Sequence, residues 1–475
     1  MIPILSGNVA SATGGGYEVA NSCRLNPGAK LTKTFGSTSN RRTYTVSLWL
    51  KKCSTTTEQN FVFAGDVDGA NPYFDARFDD TQIINWYHSE SGGAEEFNLK
   101  TNAVFKDPSA WYHIVFAVDT TQGTDTNRLK LYVNGEQISS FSRSVYPDQN
   151  FDTAFNVNDY ETIFGGLRSN TPTYDGYMAE VVMIDGSQLT PTSFGEFDED
   201  SPTIWKPIDV SGLTFGTHGF YLDFEASDNL GNDANGGTDF TETDLAAADQ
   251  ATDTPTNNFC TWNALDKYYS SATFAEGNTT VVTPNGSITY ATGTIGLSSG
   301  RWYFEVQPYD PSDDNSIGIV DHVSTSNSSS AGELHYQPRG WCYRQTGDAY
   351  NNNSSLTGSW SSYSAGVTIG VFLDLEDNKI YWSRDGVMQN SGTGISITAA
   401  ASTDTGFYFP AVGDYNGSDD TTFRTNFGGS SSFAISSAVT DDNGYGNFEY
   451  TPSVTVDSTA KKFYAICTKN LAEYG

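Results

Sequence analysis

The stretch KIYWSRDGVMQ, residues 379–389, decides the fold class of the second half of this chain. Its first residues fit a strand, the Asp-Gly pair fits a two-residue turn, and a second strand follows. The stretch LKLYVNGEQI, residues 129–138, repeats the pattern with an Asn-Gly pair. These pairs suit a type I′ turn, because both of its central residues need positive φ. Each stretch therefore predicts a β-hairpin between core strands, and neither predicts a binding site.

Strand-like runs surround these hairpins along almost the whole chain. They are rich in β-branched and aromatic residues, and clusters of Gly, Asn, Asp and Ser separate them. The clearest runs are YTVSLWL (44–50), WYHIVFAV (111–118), AEVVMIDG (179–186), RWYFEVQ (301–307), VTIGVFLDL (367–375) and GFYFPAV (406–412). Short strands of this kind predict an all-β protein made of antiparallel sandwiches or jelly rolls.

The charge and the composition of the chain limit the classes of molecule that it is expected to bind. The 475 residues include 25 Lys and Arg against 57 Asp and Glu, a formal net charge of −32. Such a surface repels phosphate backbones and anionic membranes, so we expect no nucleic-acid partner. No apolar run reaches the ~18 residues of a membrane span, and the N-terminus lacks the features of a signal peptide. We therefore expect neither membrane insertion nor export by the general secretory route.

The five cysteines are Cys23, Cys53, Cys260, Cys342 and Cys467. They are widely spaced, form no CxxC motif, and have no histidine at metal-ligand spacing. Buried free thiols are the expected state.

The second half resembles the SPRY family, from about residue 263 to residue 429. The resemblance lies in GRWYFEV (300–306), SIGIV (316–320), GWCYR (340–344), GVTIGVFLDLEDNKIYWSRDGV (366–387), FYFPAVG (407–413) and TNFGG (425–429), which occur in the family's order. It implies a bent β-sandwich whose variable loops face a protein or peptide partner, without catalytic machinery.

The first half resembles a laminin-G or concanavalin A-like jelly roll, over roughly residues 22–193. The supporting stretches are YTVSLWLK (44–51), WYHIVFAVD (111–119), LKLYVNGEQI (129–138) and IFGGLRSNTPTYDGYMAEVVMIDG (163–186). This class implies binding of glycans or proteins, sometimes through calcium, more often than cleavage.

The arrangement of the two halves is similar to a cassette in predicted virion proteins of tailed, particularly marine, phages. The segment from residue 232 to residue 266 and the stretch FYAICTKNL (463–471) carry this resemblance. It implies a virion surface or tail-fibre-like protein, made in the host cytoplasm. This is an analogy of context and assigns no site.

These observations divide the chain into five parts. An N-terminal arm (1–21) precedes the laminin-G-like sandwich (22–193), and an ordered acidic connector with one or two strands (194–262) leads to the SPRY-like sandwich (263–429). A C-terminal segment (430–475) is expected to pack back on the second sandwich or the connector.

The stretch EFDED raises the question of glycan cleavage. Glu196, Asp198 and Asp200 alternate, and paired carboxylates on one strand would suit a retaining glycosidase. However, Phe197 is followed by Glu199 where a central strand needs another apolar residue. A solvated acidic linker is the favoured interpretation, so no catalytic residue is assigned.

A calcium site is a second hypothesis. The loop SDNLGNDANGGTDF (227–240) places hard oxygen ligands next to glycines, namely Asp228, Asp233, Asn235 and Asp239. The spacing does not match an EF-hand, and Asx-turns are the favoured alternative. The stretch GDVDG (65–69) raises the same question in the first half.

Aromatic residues beside amides and carboxylates are candidates for ligand binding. In the second half they are Tyr343, Asp348, Tyr350, Asn351, Trp360 and Tyr363. Trp86 and Tyr174 are the corresponding candidates in the first half, where the stretches 85–97 and 166–176 contain them. Packing in the sandwich is the alternative role for the second-half aromatics.

The sequence thus favours a non-enzymatic virion protein that contacts a host-surface glycan or protein. One alternative is a structural decoration protein that binds other virion proteins, and a glycan hydrolase is less favoured. Self-association into a homo-oligomer stays open.

Overall fold

The computed structural model describes residues 16–66, 72–90, 93–167, 173–265, 272–283, 289–310, 315–323, 332–414 and 420–475. The chain forms two compact units that divide between Thr256 and Asn257. Strands dominate both units, and the α-helix α1 (Thr468–Tyr474) is short. No helix in the described ranges has the length and apolar character needed to cross a membrane. The predicted all-β class is confirmed.

Two large antiparallel sheets form most of the first unit. Its strands are β1 (Ser22–Leu25), β2 (Lys30–Thr34), β3 (Thr43–Lys52), β4 (Gln59–Asp66), β5 (Tyr73–Phe78), β6 (Ile83–Ser89), β7 (Glu95–Val104), β8 (Trp111–Asp119), β9 (Leu129–Val133), β10 (Glu136–Gln137), β11 (Phe141–Val145), β12 (Tyr160–Phe164), β13 (Gly176–Asp185), β14 (Gly195–Phe197), β15 (Trp205–Pro207), β16 (Phe220–Leu222), β17 (Thr241–Thr243) and β18 (Gln250–Ala251). The first sheet has the order β10-β9-β8-β3-β13-β1-β18, with β16 also on β13. The second has the order β11-β7-β6-β5-β4-β12-β2-β17, and β14 pairs with β15.

An aromatic core joins the inner faces of these two sheets. Trp86 of the second sheet packs against Phe116 of the first, with ring centroids 4.9 Å apart. Phe74 and Phe97 complete the cluster, and all four side chains are fully buried. Burial of large aromatic rings stabilises a sandwich strongly, because each removes a large apolar area from water.

The acidic segment predicted as a connector is part of the first unit. Three of its short strands extend the two large sheets: β16 pairs with β13, β17 with β2, and β18 with β1. Phe220, Leu222 and Phe240 belong to the same buried core as the earlier strands. Strands of two or three residues are too short to show alternation, so the sequence predicted an ordered connector with one or two strands where the chain completes the fold.

A buried ion pair fastens this segment to the first sheet. The Nζ of Lys51 lies 2.6 Å from the Oδ2 of Asp253, and both side chains are almost completely buried. The indole Nε1 of Trp111 also donates to Asp253 Oδ1, at 3.1 Å. The carboxylate of Asp253 therefore replaces its lost hydration with fixed donors.

Both predicted hairpin turns are present. Asn134 and Gly135 have φ values of 48° and 82°, between β9 and β10. In the second unit, Asp385 and Gly386 have φ values of 47° and 75°. These are the positive values that a type I′ turn requires.

The second unit is also a sandwich. Its strands are β19 (Thr273–Ala275), β20 (Thr280–Thr283), β21 (Thr289–Thr292), β22 (Arg301–Asp310), β23 (Asn315–Val320), β24 (Trp341–Arg344), β25 (Asp348–Asn351), β26 (Ser354–Ser355), β27 (Ile369–Asp374), β28 (Lys379–Arg384), β29 (Val387–Met388), β30 (Ile395–Ser396), β31 (Phe409–Asp414), β32 (Thr421–Asn426), β33 (Ser453–Val456), β34 (Thr459–Lys462) and β35 (Tyr464–Ala465). The third sheet has the order β19-β20-β32-β22-β27-β28-β29, with β30 on β28 and β35 on β22. The fourth has the order β21-β31-β23-β24-β25-β26, and β33 pairs with β34.

The C-terminal segment packs on the second sandwich. β35 runs parallel to β22 at the third sheet. Glu305 of β22 holds the loop before β33, because its carboxylate accepts hydrogen bonds from the backbone N–H groups of Glu449 and Tyr450. Tyr303 and Asn426 also donate to this carboxylate. Burial raises the pKa of Glu305 to about 7, and the four donors act in the opposite direction.

All five cysteines are buried free thiols, as predicted. Burial raises the pKa of the thiols of Cys23, Cys53, Cys342 and Cys467, to about 12 in Cys342. Thiols in this protonated state are poor nucleophiles.

Candidate binding sites

The outer face of the second sheet carries a mixture of polar, charged and aromatic side chains. Residues directly opposite each other in an antiparallel pair share one face of a sheet. Two rows cross β4, β5, β6 and β7 on this face. They are Asn60, Arg77, Asn85 and Lys100, and Phe63, Asp75, Tyr87 and Asn98. We call these eight residues, with Tyr73 of β5, the polar sheet face.

Asp75 lies at the centre of the polar sheet face and is 1% exposed. Burial raises its pKa to about 7, although the adjacent Arg77 acts to lower it. Arg77 Nη1 donates to Asp75 Oδ2 at 2.6 Å, and its Nε lies 3.4 Å from Glu58 Oε2. The carboxyl group of Asp75 is therefore held in one orientation by a neighbouring side chain.

Several buried polar atoms on this face have no hydrogen-bond partner among the described residues. They are Nδ2 and Oδ1 of Asn60, and one oxygen in each of Asp75, Asn85 and Asn98. Leaving a buried donor or acceptor unpaired costs roughly 1–3 kcal/mol. Buried polar atoms of this kind are usually paired with ordered water.

Aromatic rings flank these atoms. Tyr73 and Tyr87 are partly buried neighbours with ring centroids 5.8 Å apart. Phe63 stacks on Tyr73 at 6.0 Å. Rings beside fixed amide groups offer apolar contact and hydrogen bonds in one place, which is the usual composition of a small-molecule site.

The two candidates predicted in the first half, Trp86 and Tyr174, are not on this face. Both side chains are fully buried in the core of the first unit. Strand residues alternate between faces, so Asn85 and Tyr87 point outward while Trp86 points inward. Trp86 therefore contributes to the core and not to the surface of β6. The loop residues 91–92 and 168–172 of the two predicted stretches lie outside the described residues.

Two of the predicted residues in the second half are also structural. Tyr343 is fully buried and Tyr363 is 3% exposed. Tyr363 donates its hydroxyl to the Asn315 side chain at 2.9 Å, and Tyr343 donates to the carbonyl of Ser361. Neither ring is available to a ligand, so the packing alternative is correct for both.

Trp360 is partly buried and caps the second sandwich. Its ring contacts Trp382 edge-on, with centroids 5.6 Å apart. The indole Nε1 is buried and has no partner among the described residues. Gln389 and Asn390 accept hydrogen bonds from the backbone of the Trp360 loop. Trp360 therefore has a fixed position with one free donor.

The other three second-half candidates remain partly accessible on β25. The guanidinium of Arg344 lies 5.0 Å from the ring centroid of Tyr350. Asn351 donates to the carbonyl of Gly340 at 2.9 Å, and Asp348 accepts a hydrogen bond from Thr346. β25 lies beside the short strand β26 in the fourth sheet. These residues and Trp360 form the loop cluster, a second candidate site with fewer unsatisfied groups than the polar sheet face.

The predicted calcium ligands take part in local contacts in the structure. Asp233 is buried, forms an ion pair with Lys33 at 3.3 Å, and accepts backbone hydrogen bonds from its own region. Asp239 accepts from the backbone of Asp233, while Asp228 and Asn235 are exposed. Within the described ranges, no group of three or more His, Cys, Asp or Glu side chains could hold a metal. The loop has the Asx-type contacts of the alternative interpretation, and residues 67–69 of GDVDG lie outside the description.

We expect the midpoint of thermal unfolding of the protein to be unchanged in excess EDTA. The reason is that Asp233 already has Lys33 as its counter-ion, so a cation would have to displace it. Differential scanning calorimetry with EDTA, then with calcium added back, measures this. A calcium-dependent rise in the midpoint would contradict the expectation.

The alternating acids of EFDED make local ion pairs and turn contacts. Glu196 lies on β14, which pairs with β15 in a separate two-stranded sheet. Lys206 forms ion pairs with Glu196 and Asp198, both at 3.4 Å. Asp198 Oδ1 also accepts from the backbone N–H groups of Asp200 and Ser201. These contacts fix a turn.

Two family models match the chain. Residues 26–192 match the concanavalin A-like lectin/glucanases superfamily, and residues 301–429 match the SPRY domain. The first unit therefore contains a concanavalin A-like domain, and the second contains a SPRY domain. Both are domains of the binding type.

No curated protein sequence matches the chain. Among solved structures, domains LG4-5 of the mouse laminin α1 chain share 11% identity over 90% of this chain and 92% of that one, with a TM-score of 0.30. The SPRY domain of human HERC1 shares 18% identity over 31% of this chain and 86% of that one, with a TM-score of 0.25. A SAP-like pentraxin from Limulus polyphemus shares 12% identity over 37% and 80%, with a TM-score of 0.28.

Proposed function

We propose that this chain is a non-enzymatic binding protein whose polar sheet face holds a glycan. The observation that carries the proposal is the partly exposed pair of rings of Tyr73 and Tyr87, set beside Arg77 and Lys100 on the polar sheet face. Sugar hydroxyls can accept hydrogen bonds from these two cations. The C–H surface of a sugar ring can pack against Tyr87.

The charges of this face favour binding over cleavage. A glycosidase needs two carboxyl groups that flank the scissile bond. Asp75 is the buried carboxyl group of the face, whereas Glu58 and Glu95 are held by Arg77 and Arg143. The hydrolase alternative is therefore less supported than recognition.

We expect Tyr87→Ala to weaken glycan binding by about tenfold, because it removes the aromatic contact and loosens the neighbouring amides. The measurement is binding of fluorescently labelled protein to an immobilised panel of neutral oligosaccharides and to intact candidate host cells. Tyr309→Ala is the matched control, since Tyr309 is a tyrosine of the second unit that is 54% exposed. Equal binding by the Tyr87 variant and the wild type would refute the proposal.

The biological setting proposed for this binding is the surface of a phage virion, on a fibre, tail or capsid. Its support is the order of the two domains together with the resemblance of residues 232–266 and 463–471 to the phage cassette. In this setting the glycan belongs to the host surface, and the loop cluster around Trp360 contacts a host protein or glycan. A decoration protein that uses both faces against neighbouring virion subunits would instead bind no host cell.

A further inference from the structure

A polar cleft of about 480 Å³ opens at one end of the third sheet, in the second unit. The starts of β22 and β28 form one wall, and the tip of the β33–β34 hairpin forms the other. Its polar lining residues are Arg301, Asp377, Lys379, Asp457, Thr459 and Lys461. The volume falls within the roughly 300–1,000 Å³ of small-ligand sites.

The inner side of the cleft is held by a buried carboxylate. The side chain of Asp374 is fully buried, and its Oδ2 lies 2.7 Å from the Nζ of Lys461 and 3.2 Å from the Nε of Arg301. The side chain of Lys461 is only 8% exposed and also contacts Asp377 at 2.5 Å. These two cations therefore have fixed positions before any ligand binds, which lowers the entropic cost of recognition.

The hairpin tip is fixed as firmly. Asp457 Oδ2 accepts from Lys379 Nζ at 2.6 Å and from the Tyr381 hydroxyl at 2.9 Å, while its Oδ1 accepts from the Gly394 backbone at 3.1 Å. Asp457 and Ser458 have positive φ values of 47° and 63°. The hairpins at Asn134-Gly135 and Asp385-Gly386 place glycine at the second of these positions, so a serine there is a strained choice.

The charges of the cleft indicate a neutral ligand. Each of its three cations already faces a carboxylate, so the lining alternates donors and acceptors without a strong field of one sign. The net charge of −32 on the chain opposes the approach of an anion. Vicinal hydroxyls fit this alternation, because each can accept from a lysine and donate to an aspartate.

We propose that this cleft is a second saccharide site, separate from the polar sheet face, for a neutral sugar of one or two rings. Lys379 and the hydroxyl of Thr459 supply contacts at its exposed side, and Asp457 supplies the acceptor between them. The site belongs to the SPRY-containing unit and does not depend on the glycan proposed for the first unit.

The test uses the full chain carrying Tyr87→Ala, so that the first site does not mask the second. Isothermal titration and saturation-transfer NMR are run with glucose, galactose, mannose and their disaccharides. Lys379→Met and Thr459→Val are each expected to weaken binding of the responding sugar by about tenfold. Lys462→Met is the matched control, because Lys462 lies on β34 with Thr459 but outside the cleft. Its side chain is 60% exposed and forms an ion pair with Asp442.

Asp457 keeps its hydrogen bonds from Tyr381 and Gly394 in the Lys379 variant, so the hairpin should remain folded. Far-UV circular dichroism checks this. No sugar bound by the Tyr87→Ala chain, or binding equally strong in all three variants, would overturn the proposal and leave the polar sheet face unaffected. If sodium sulfate displaced the sugar, and if sulfate binding also weakened in the Lys379 variant, the proposal that the ligand is neutral would be overturned.

Discussion

Replacing Lys51 by Met is expected to lower the free energy of unfolding of the first unit by about 3–5 kcal/mol. The side chains of Lys51 and Asp253 are 0% and 1% exposed. Removing the ammonium group takes the charge of Lys51 away from the buried carboxylate of Asp253, to which the indole Nε1 of Trp111 also donates. Asp253 follows β18 and is held to β3 by Lys51, so loss of the ion pair should also loosen β18.

Urea denaturation followed by tryptophan fluorescence measures this change. Lys106→Met is the control, because Lys106 is exposed in the same unit and its loss should change stability by less than about 0.5 kcal/mol. The double variant Lys51→Met with Asp253→Asn should recover part of the loss, since no uncompensated charge remains. Equal stability of the Lys51 and Lys106 variants would show that the pair is not needed.

The second large effect concerns pH. Burial raises the pKa of Glu180 from 4.5 to about 7, and Asp223 and Glu225 add to the increase. The hydroxyls of Tyr17 and Tyr221 donate to its carboxylate and oppose the shift. Because the folded state holds this proton more tightly than the unfolded state, Glu180 stabilises the fold below pH 4.5. That contribution is lost as the pH rises towards 7.

Glu180→Gln should remove this dependence. The shift corresponds to about 3 kcal/mol, so the wild type should lose about that much relative to the variant between pH 4.5 and pH 8. Thermal unfolding across this range, with the exposed Glu136→Gln as control, tests the expectation. Parallel pH profiles of the wild type and the Glu180 variant would contradict it.

The sequence predicted the hairpin turns and the strands, which depend on residues close together in the chain. Asn134-Gly135 and Asp385-Gly386 specify their turns because few other pairs accept positive φ at both positions. The family resemblances extended these hairpins to two sandwiches, and the family models agree. The alternating strands around the hairpins follow from the same period-two pattern.

The candidate sites depended on information that the sequence lacks. The direction of Trp86 depends on which face of β6 meets the core, and a shift of one residue exchanges Trp86 for Tyr87. The β18 strand of two residues shows no pattern of its own and is defined by its pairing with β1. The cleft of the second unit requires Arg301 and Lys461 to meet at Asp374, although they lie far apart in the chain. Long-range contacts of this kind leave no local pattern.

The pairing of β1 with β18 also bears on how such a protein can evolve. Ser22 lies opposite Ala251, so the chain enters and leaves the first unit at adjacent positions. A unit whose two ends are neighbours can be inserted into, or removed from, a longer protein without rearranging its surroundings. Recombination could therefore exchange this unit as a cassette in one genetic step.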